Sequence, residues 1–406
     1  MRPIRLAVIF DQQIHAGGGY QQALNAALLT RDIPKNLADV FFITTLQPNV
    51  KVLFDYGIEA ELIMLSFFDK ARTYIRRLFL DPRILGFIKK YEPYTAFEKH
   101  LVQRKIDLVY FLSPSGWARD LEELNYITTV WDLCHRDDPE FPEVRWNRAF
   151  ELRERHYRSI LPRATAIFVD SELGKKNVVN RYGIDSERVC VMPFQAASGA
   201  RKSSGTGSSV SINVQEKYKL EDPYVFYPAQ FWAHKNHVYI LEGLAVLERK
   251  HGIRIGAIFS GSDKGNQRYV EACVRELGLE DRVRFSGFVP NEEIPELYRQ
   301  SLALVMPSYF GPTNLPPLEA FEIGVPVLYS NKDGLRDQVG DAALLIDLKN
   351  PESLADHLKN LLDDEKLRAR LINSGQERLQ YFDAMDRVGV LCSVIEDFRW
   401  RRLCWE

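Results

Sequence analysis

The stretch Ser308-Tyr-Phe-Gly-Pro-Thr-Asn-Leu-Pro-Pro-Leu-Glu319 gathers residues able to hold an anion and a hydroxyl side by side. An apolar run from Leu302 to Met306 reads as a buried strand, and this stretch carries it through a polar loop into a helix. Orphan amides at the helix start and the positive end of its dipole favour a phosphate there. Pro312, Pro316 and Pro317 have no N–H to give, so the donors must come from Gly311, Thr313, Asn314 and Leu315. Glu319 falls one turn inside the helix, near enough to the same opening to accept a hydrogen bond from a sugar or ribose hydroxyl. A carboxylate beside a phosphate site suits a nucleotide sugar; with no ligand, the segment is a proline-stiffened loop.

The elements that must position these residues are β–α repeats. The apolar run Ile4 to Phe10 ends at Asp11 and leads through Gly17-Gly18-Gly19-Tyr20 into a helical pattern at Leu24, Ala27 and Leu28. This is the strand, glycine loop and helix of a Rossmann-like unit, without the G-x-G-x-x-G spacing of a dinucleotide site. Further strands are expected at 40–45, 108–112, 127–130, 166–169, 188–192, 224–229, 254–260 and 302–306, separated by helical patterns, which argues for parallel sheets. Two helices are expected over 351–382, one from Asn291 to Tyr298 and a last one over 385–401. Residues 196–210 read AASGARKSSGTGSSV, a linker or surface loop.

At 406 residues the chain suits two domains. It is 46% hydrophobic and 27% charged, and 53 Lys+Arg against 55 Asp+Glu give a net charge of −2, a balance that calls for no nucleic acid. The five cysteines, Cys134, Cys190, Cys273, Cys392 and Cys404, are scattered, with no C-x-x-C, so neither a disulfide framework nor a zinc site is suggested and a reducing cytoplasm is expected. The first strand is too short for a signal peptide or membrane span, so any membrane contact is expected to be peripheral. Over 67–90, Lys70, Arg72, Arg76, Arg77, Arg83, Lys89 and Lys90 alternate with large apolar residues. That composition suits an interfacial helix on anionic lipid, and equally a solvated helix packed on its own sheet.

Leu315-Pro-Pro-Leu-Glu319-Ala320, Gly324-Val-Pro-Val327, Ser330 and Val339-Gly-Asp-Ala-Ala343 together resemble glycosyltransferase family 4, retaining enzymes of the GT-B fold. The resemblance runs strongly from Tyr224 to Leu345 and loosely before that. It implies an α/β protein of two Rossmann-like domains facing a cleft: 1–195 for the acceptor, a linker over 196–222, 223–383 for the donor, and a final helix over about 384–406 crossing back to the first domain. It implies that Lys235, followed by Asn236, contacts the donor diphosphate, that the backbone at Gly287 and Phe288 reads the base, and that the loop with Gly18 and Gly19 approaches donor phosphates or acceptor. Ser171 matches the family's serine and reads as a helix N-cap. Three positions depart from the pattern. The first family glutamate is Gly311, the arginine is Gln230, and the histidine before Asp132 is Trp131, which leaves His135 or no histidine in that role.

The implied reaction is transfer of a hexose or deoxyhexose from a nucleoside diphosphate sugar to a hydroxyl of a glycan or lipid-linked acceptor, with retention. Lys235, Asp132 and Glu319 are the catalytic candidates, and the donor is the sole co-substrate, with no cofactor. Asp132, at a strand end, suits either an acceptor hydroxyl or a helix or turn cap. Asn314 is expected to read sugar hydroxyls, its alternative being a helix cap. No D-x-D or His/Asp cluster has metal spacing, so phosphate charge is expected to be met by Lys235, the helix dipole and loop amides. Two other classes fit less of the pattern: a catalytically silent nucleotide-sugar-binding scaffold, and a GT-B epimerase acting on the nucleotide sugar.

Overall fold

Every residue of the strand Ile4–Phe10 (β1) except Arg5 is buried, as a parallel strand covered on both faces requires. Ile4, Leu6, Val8 and Phe10 share one cluster with Leu24, Leu391, Ile395 and Phe398, while Ala7 and Ile9 share another with Phe97, Leu101 and Tyr157. In the computed structural model, which describes residues 2–13, 18–78, 94–195, 212–290 and 292–405, the chain divides into two compact units. The first unit comprises Met1–Leu133, Glu151–Pro193 and Asp386–Glu406, and the second Cys134–Phe150 and Phe194–Met385.

The first unit is built on a seven-stranded sheet in the order β3-β2-β1-β4-β5-β6-β7, every neighbouring pair parallel. Its strands are β1, β2 (Ala38–Thr44), β3 (Ala60–Leu62), β4 (Leu108–Phe111), β5 (Asn125–Val130), β6 (Ala166–Val169) and β7 (Val189–Val191). Ser171 caps the helix Glu172–Tyr182, accepting from the Gly174 amide at 3.0 Å. Of the basic, aromatic stretch 67–90, the helix Phe67–Leu78 is seen, with Phe67, Phe68 and Tyr74 exposed; 79–90 lies outside the described residues. No helix among the described residues is long and apolar enough to cross a membrane.

The second unit holds a six-stranded parallel sheet in the order β10-β9-β8-β11-β12-β13. The strands are β8 (Tyr224–Pro228), β9 (Gly256–Ser260), β10 (Val283–Gly287), β11 (Ala303–Met306), β12 (Val327–Ser330) and β13 (Ala343–Ile346). The expected linker ends earlier than 222: Val214–Tyr218 is a helix capped by Asn213, and Val214 and Leu220 are buried in the core of this unit. Residues 196–211 lie outside the described residues. The helix expected from Asn291 runs from Ile294 to Arg299, and Asn291 itself is not among the described residues. Residues Cys134–Phe150 fall inside the 1–195 stretch expected to form the first domain, yet they group with the second unit. Their side chains explain why: Asp138 pairs with Lys332 at 2.9 Å, and Phe141 sets its ring edge-on to Phe310.

The last helix, Arg387–Arg402, is tied to the first unit by charge as well as by its apolar face. Asp107, only 2% exposed, receives Arg2 at 2.6 Å, Arg402 at 2.7 Å and the Arg5 amide at 2.9 Å. Removing that carboxylate takes an ion-pair partner from a mostly buried Arg402. Asp107→Ala is expected to destabilise the first unit by about 2–3 kcal/mol, read as a lower urea midpoint. An unchanged midpoint would show that apolar packing alone seats the helix.

Candidate functional site

The order of the second sheet reverses between β8 and β11, and open α/β sheets bind ligands beyond the carboxyl ends of their strands at such a reversal. The loops leaving these two strands carry the predicted residues. After β8, a short turn Ala233–Lys235 is held by the Tyr227 hydroxyl, which donates to the Lys235 carbonyl at 3.0 Å. After β11, the chain runs to Asn314, whose extended backbone precedes the helix Leu315–Ile323. Ser330 staples this second loop to β12 by donating to the Ser308 carbonyl at 2.7 Å. Adjacent strands thus bring Lys235 and Asn314 together, with Nζ 3.4 Å from Oδ1.

The loop amides are less available than the spacing suggests. Of the four expected donors, the Gly311 N–H lies 3.3 Å from the Cys134 sulfur and the Asn314 N–H donates to Gln338 Oε1 at 2.9 Å. Thr313 is half-buried, and Leu315 opens the helix, followed by two prolines that cannot donate. Asn314 is at the N-cap position but makes no side-chain cap bond. Its amide nitrogen donates inward to the Phe310 carbonyl at 3.2 Å and to the Tyr329 hydroxyl at 2.7 Å, so the hydrogens expected to read a sugar are already committed. A side chain at Gly311 would require Leu335 to move, since a Cβ there would sit 2.7 Å from its methyl.

Glu319 does not stand open at the helix start. Oε2 accepts from the Tyr298 hydroxyl at 2.9 Å, and burial raises its pKa above the ordinary 4.5 while the tyrosine bond pulls it down. Gln230 accepts from the Trp232 indole N–H at 3.1 Å, which gives the uncharged residue a local partner. Gly287 closes β10 in the left-handed region at φ 63°, and Phe288 after it is 75% exposed.

Several residues at these loops carry no signal in the sequence. One Glu143 oxygen accepts from both the His234 amide and its Nδ1. Burial alone would raise the Glu143 pKa, and the bonds from His234 more than offset it, so the carboxylate is ionised and Nδ1 carries the proton. The His234 ring stacks on Phe310 at 3.9 Å and 6°, joining the two loops by a flat contact. His237, two residues past Lys235, is fully buried against Phe231, and burial pushes its pKa down to about 3, so it is neutral and offers a phosphate no charge.

In the first unit, Asp132 follows β5 and its Oδ1 accepts from Arg153 at 2.6 Å. Burial works against the Arg153 charge, and Asp132 and Tyr157 more than restore it. Gly18 and Gly19 belong to the first turn of the helix Gly18–Leu29 and not to a loop; 14–17 lie outside the described residues. The close approach that demands glycine at 19 is to Trp131: a Cβ would lie 2.7 Å from its indole. His135, in the segment that groups with the second unit, is fully buried, 5.5 Å from the Phe150 ring. Among the described residues no group of His, Cys, Asp or Glu could hold a metal ion.

Residues 211–378 match the family model described as glycosyl transferases group 1. The chain is 26% identical over 244 residues to the O-antigen chain mannosyltransferase B of Escherichia coli, spanning 60% of this chain and 62% of that protein, less than two thirds of its length. It is 26% identical over 302 residues to the D-inositol 3-phosphate glycosyltransferase of Corynebacterium glutamicum, 71% of each. The crystal structure of Anabaena HepE in complex with UDP aligns with a TM-score of 0.68 over 98% of this chain and all of that one, at 16% identity, a likeness of fold. The two Rossmann-like units are those of the GT-B fold, and the matches support a glycosyltransferase.

The raised pKa of Glu319 has a consequence for stability. The folded state holds this proton more tightly than the unfolded chain does, so Glu319 favours the fold below 4.5 and loses that contribution as pH rises through its raised value. Glu319→Gln keeps an acceptor for Tyr298 without the buried charge. It is expected to melt higher than the parent at neutral pH, with the gap closing in acid; equal melting across the range would mean the carboxylate is well solvated.

Proposed function

We propose that the chain is a retaining, family 4 type glycosyltransferase that moves a hexose or deoxyhexose from a nucleoside diphosphate sugar to a hydroxyl acceptor. The observation that carries this reading is the meeting of Lys235 with the start of the helix Leu315–Ile323 at the β8–β11 reversal. A compact ammonium and a helix N-terminus converging on one place suit a diphosphate leaving group. Phe288 and the backbone at Gly287 would face the base, and Glu319 would turn its second oxygen to a ribose or sugar hydroxyl. The UDP held by Anabaena HepE agrees with a nucleoside diphosphate as ligand. The first unit would bind the acceptor, with Asp132, fixed by Arg153, on one of its hydroxyls. The O-antigen mannosyltransferase among the relatives favours a role in surface polysaccharide assembly on a lipid-linked acceptor. The exposed Phe67 and Phe68 would then meet the cytoplasmic face of the membrane.

In the proposed mechanism the bond from the anomeric carbon to the diphosphate breaks first, through an oxocarbenium-like state. The acceptor oxygen attacks from the same face, and its proton passes to the departing phosphate oxygen. Lys235 stabilises charge that grows on that phosphate, so its contribution is larger in the transition state than in the bound donor.

Incubating the purified protein with labelled nucleotide sugars separates the readings. Transfer or donor hydrolysis supports the transferase, isomer formation an epimerase, and saturable binding without turnover a scaffold. Lys235→Ala is expected to lower kcat by about 3 kcal/mol of barrier, roughly a hundredfold, with a smaller change in donor affinity. Near-normal turnover would remove Lys235 from the mechanism. Activity is also expected to survive excess EDTA, because among the described residues no group of three or more His, Cys, Asp or Glu side chains could hold a divalent ion, which leaves the diphosphate charge to Lys235 and the helix start. Loss that Mg²⁺ or Mn²⁺ restores would overturn the cation-free mechanism.

A further inference from the structure

We infer that Asn314, Tyr329 and Gln338 form a neutral hydrogen-bonded brace that positions the Lys235 ammonium; this rests on the reading of Lys235 as the diphosphate contact. The brace follows from donor and acceptor arithmetic. The Asn314 amide lies 3.2 Å from the Phe310 carbonyl, which can only accept, so the nitrogen must face it. Its other hydrogen goes to the Tyr329 oxygen at 2.7 Å. Oδ1 is therefore turned to Lys235 Nζ, 3.4 Å away. Tyr329, accepting from Asn314, passes its one hydrogen to Gln338 Oε1 at 3.0 Å. Gln338 closes the circuit through the Asn314 main chain: Oε1 accepts the Asn314 N–H at 2.9 Å, and Nε2 donates to the Asn314 carbonyl at 2.5 Å. Tyr329 is fully buried and Gln338 is 3% exposed, so the bonds that set the amide are shielded from water.

The chemistry of residue 314 is the point of the device. A neutral amide oxygen directs the ammonium by a long hydrogen bond without neutralising its charge. An aspartate could not donate to the Phe310 carbonyl, and it would pair with Lys235 and cancel that charge. Asn314, Tyr329 and Gln338 are thus positioning residues, placed on the loop after β11, on β12 and on the short helix Leu335–Val339.

The test is a double-mutant cycle read by calorimetry with UDP, GDP and dTDP, following whichever diphosphate saturates the parent protein. Tyr329→Phe keeps the ring and removes the hydroxyl. It is expected to weaken diphosphate binding roughly fivefold in the parent and less than twofold in a Lys235→Ala background, because its effect passes through the lysine. Asn314→Asp, of the same size, is expected to weaken binding at least as much as Lys235→Ala, and it carries the comparison if Tyr329→Phe does not fold. Equal losses in both backgrounds would make the brace merely structural and overturn the inference. If Lys235→Ala itself binds like the parent, the donor-site reading fails and the brace with it.

Discussion

Covering both faces of a parallel sheet confines polar chemistry to its strand ends, and everything distinctive in this chain gathers there. Where the order of a sheet reverses, two adjacent strands send their following helices to opposite faces, and the loops between them part. In the second unit that place receives Lys235 and Asn314. The first unit uses the corresponding place differently. Asp11, at the end of β1, accepts from Ser113 at 2.8 Å and from Ser115 at 2.5 Å, both beyond β4. Burial raises the Asp11 pKa against the pull of these two hydroxyls. The same architecture thus closes one reversal with an internally satisfied network and equips the other with a cation.

Much of the framework is legible in the sequence because continuous apolar runs mark buried parallel strands, as at β1, β4 and β8. Strand β3 is not legible: Ala60, Glu61 and Leu62 make no run, and each is only partly buried or exposed. The helix start at Ser171 is readable because capping is local chemistry. At the site, the order of residues from Gly311 to Glu319 is visible, but their partners are not. Asn314 meets Tyr329 and Gln338 fifteen and twenty-four residues on, Glu319 meets Tyr298 twenty-one residues back, and His234 meets Glu143 across ninety-one. A single tyrosine or glutamine in such runs reads as core or surface. Which hydrogens a residue has left to offer depends on these partners, and spacing alone made Asn314 look outward-facing.

The departures from the family pattern each come with a local accommodation. Gly311 makes room for Leu335, Gln230 takes the Trp232 indole, and Trp131 lies where Gly19 has no side chain. The segment Cys134–Phe150 adds to this, bringing Cys134 to Gly311 and Glu143 to His234. A side chain added at Gly311 would press on the Leu335 methyl.

The division of the chain bears on how it can be made. The polypeptide passes between the units after Leu133, after Phe150, after Pro193 and after Met385. Leu391, Ile395 and Phe398 of the last helix complete a core begun by Ile4 and Leu6. During synthesis the first sheet must wait, with that face uncovered, until the whole second unit has left the ribosome. Among the described residues, the apolar core of the second unit takes nothing later than Phe382, so the half carrying Lys235 can mature first, and the half holding β1 finishes last.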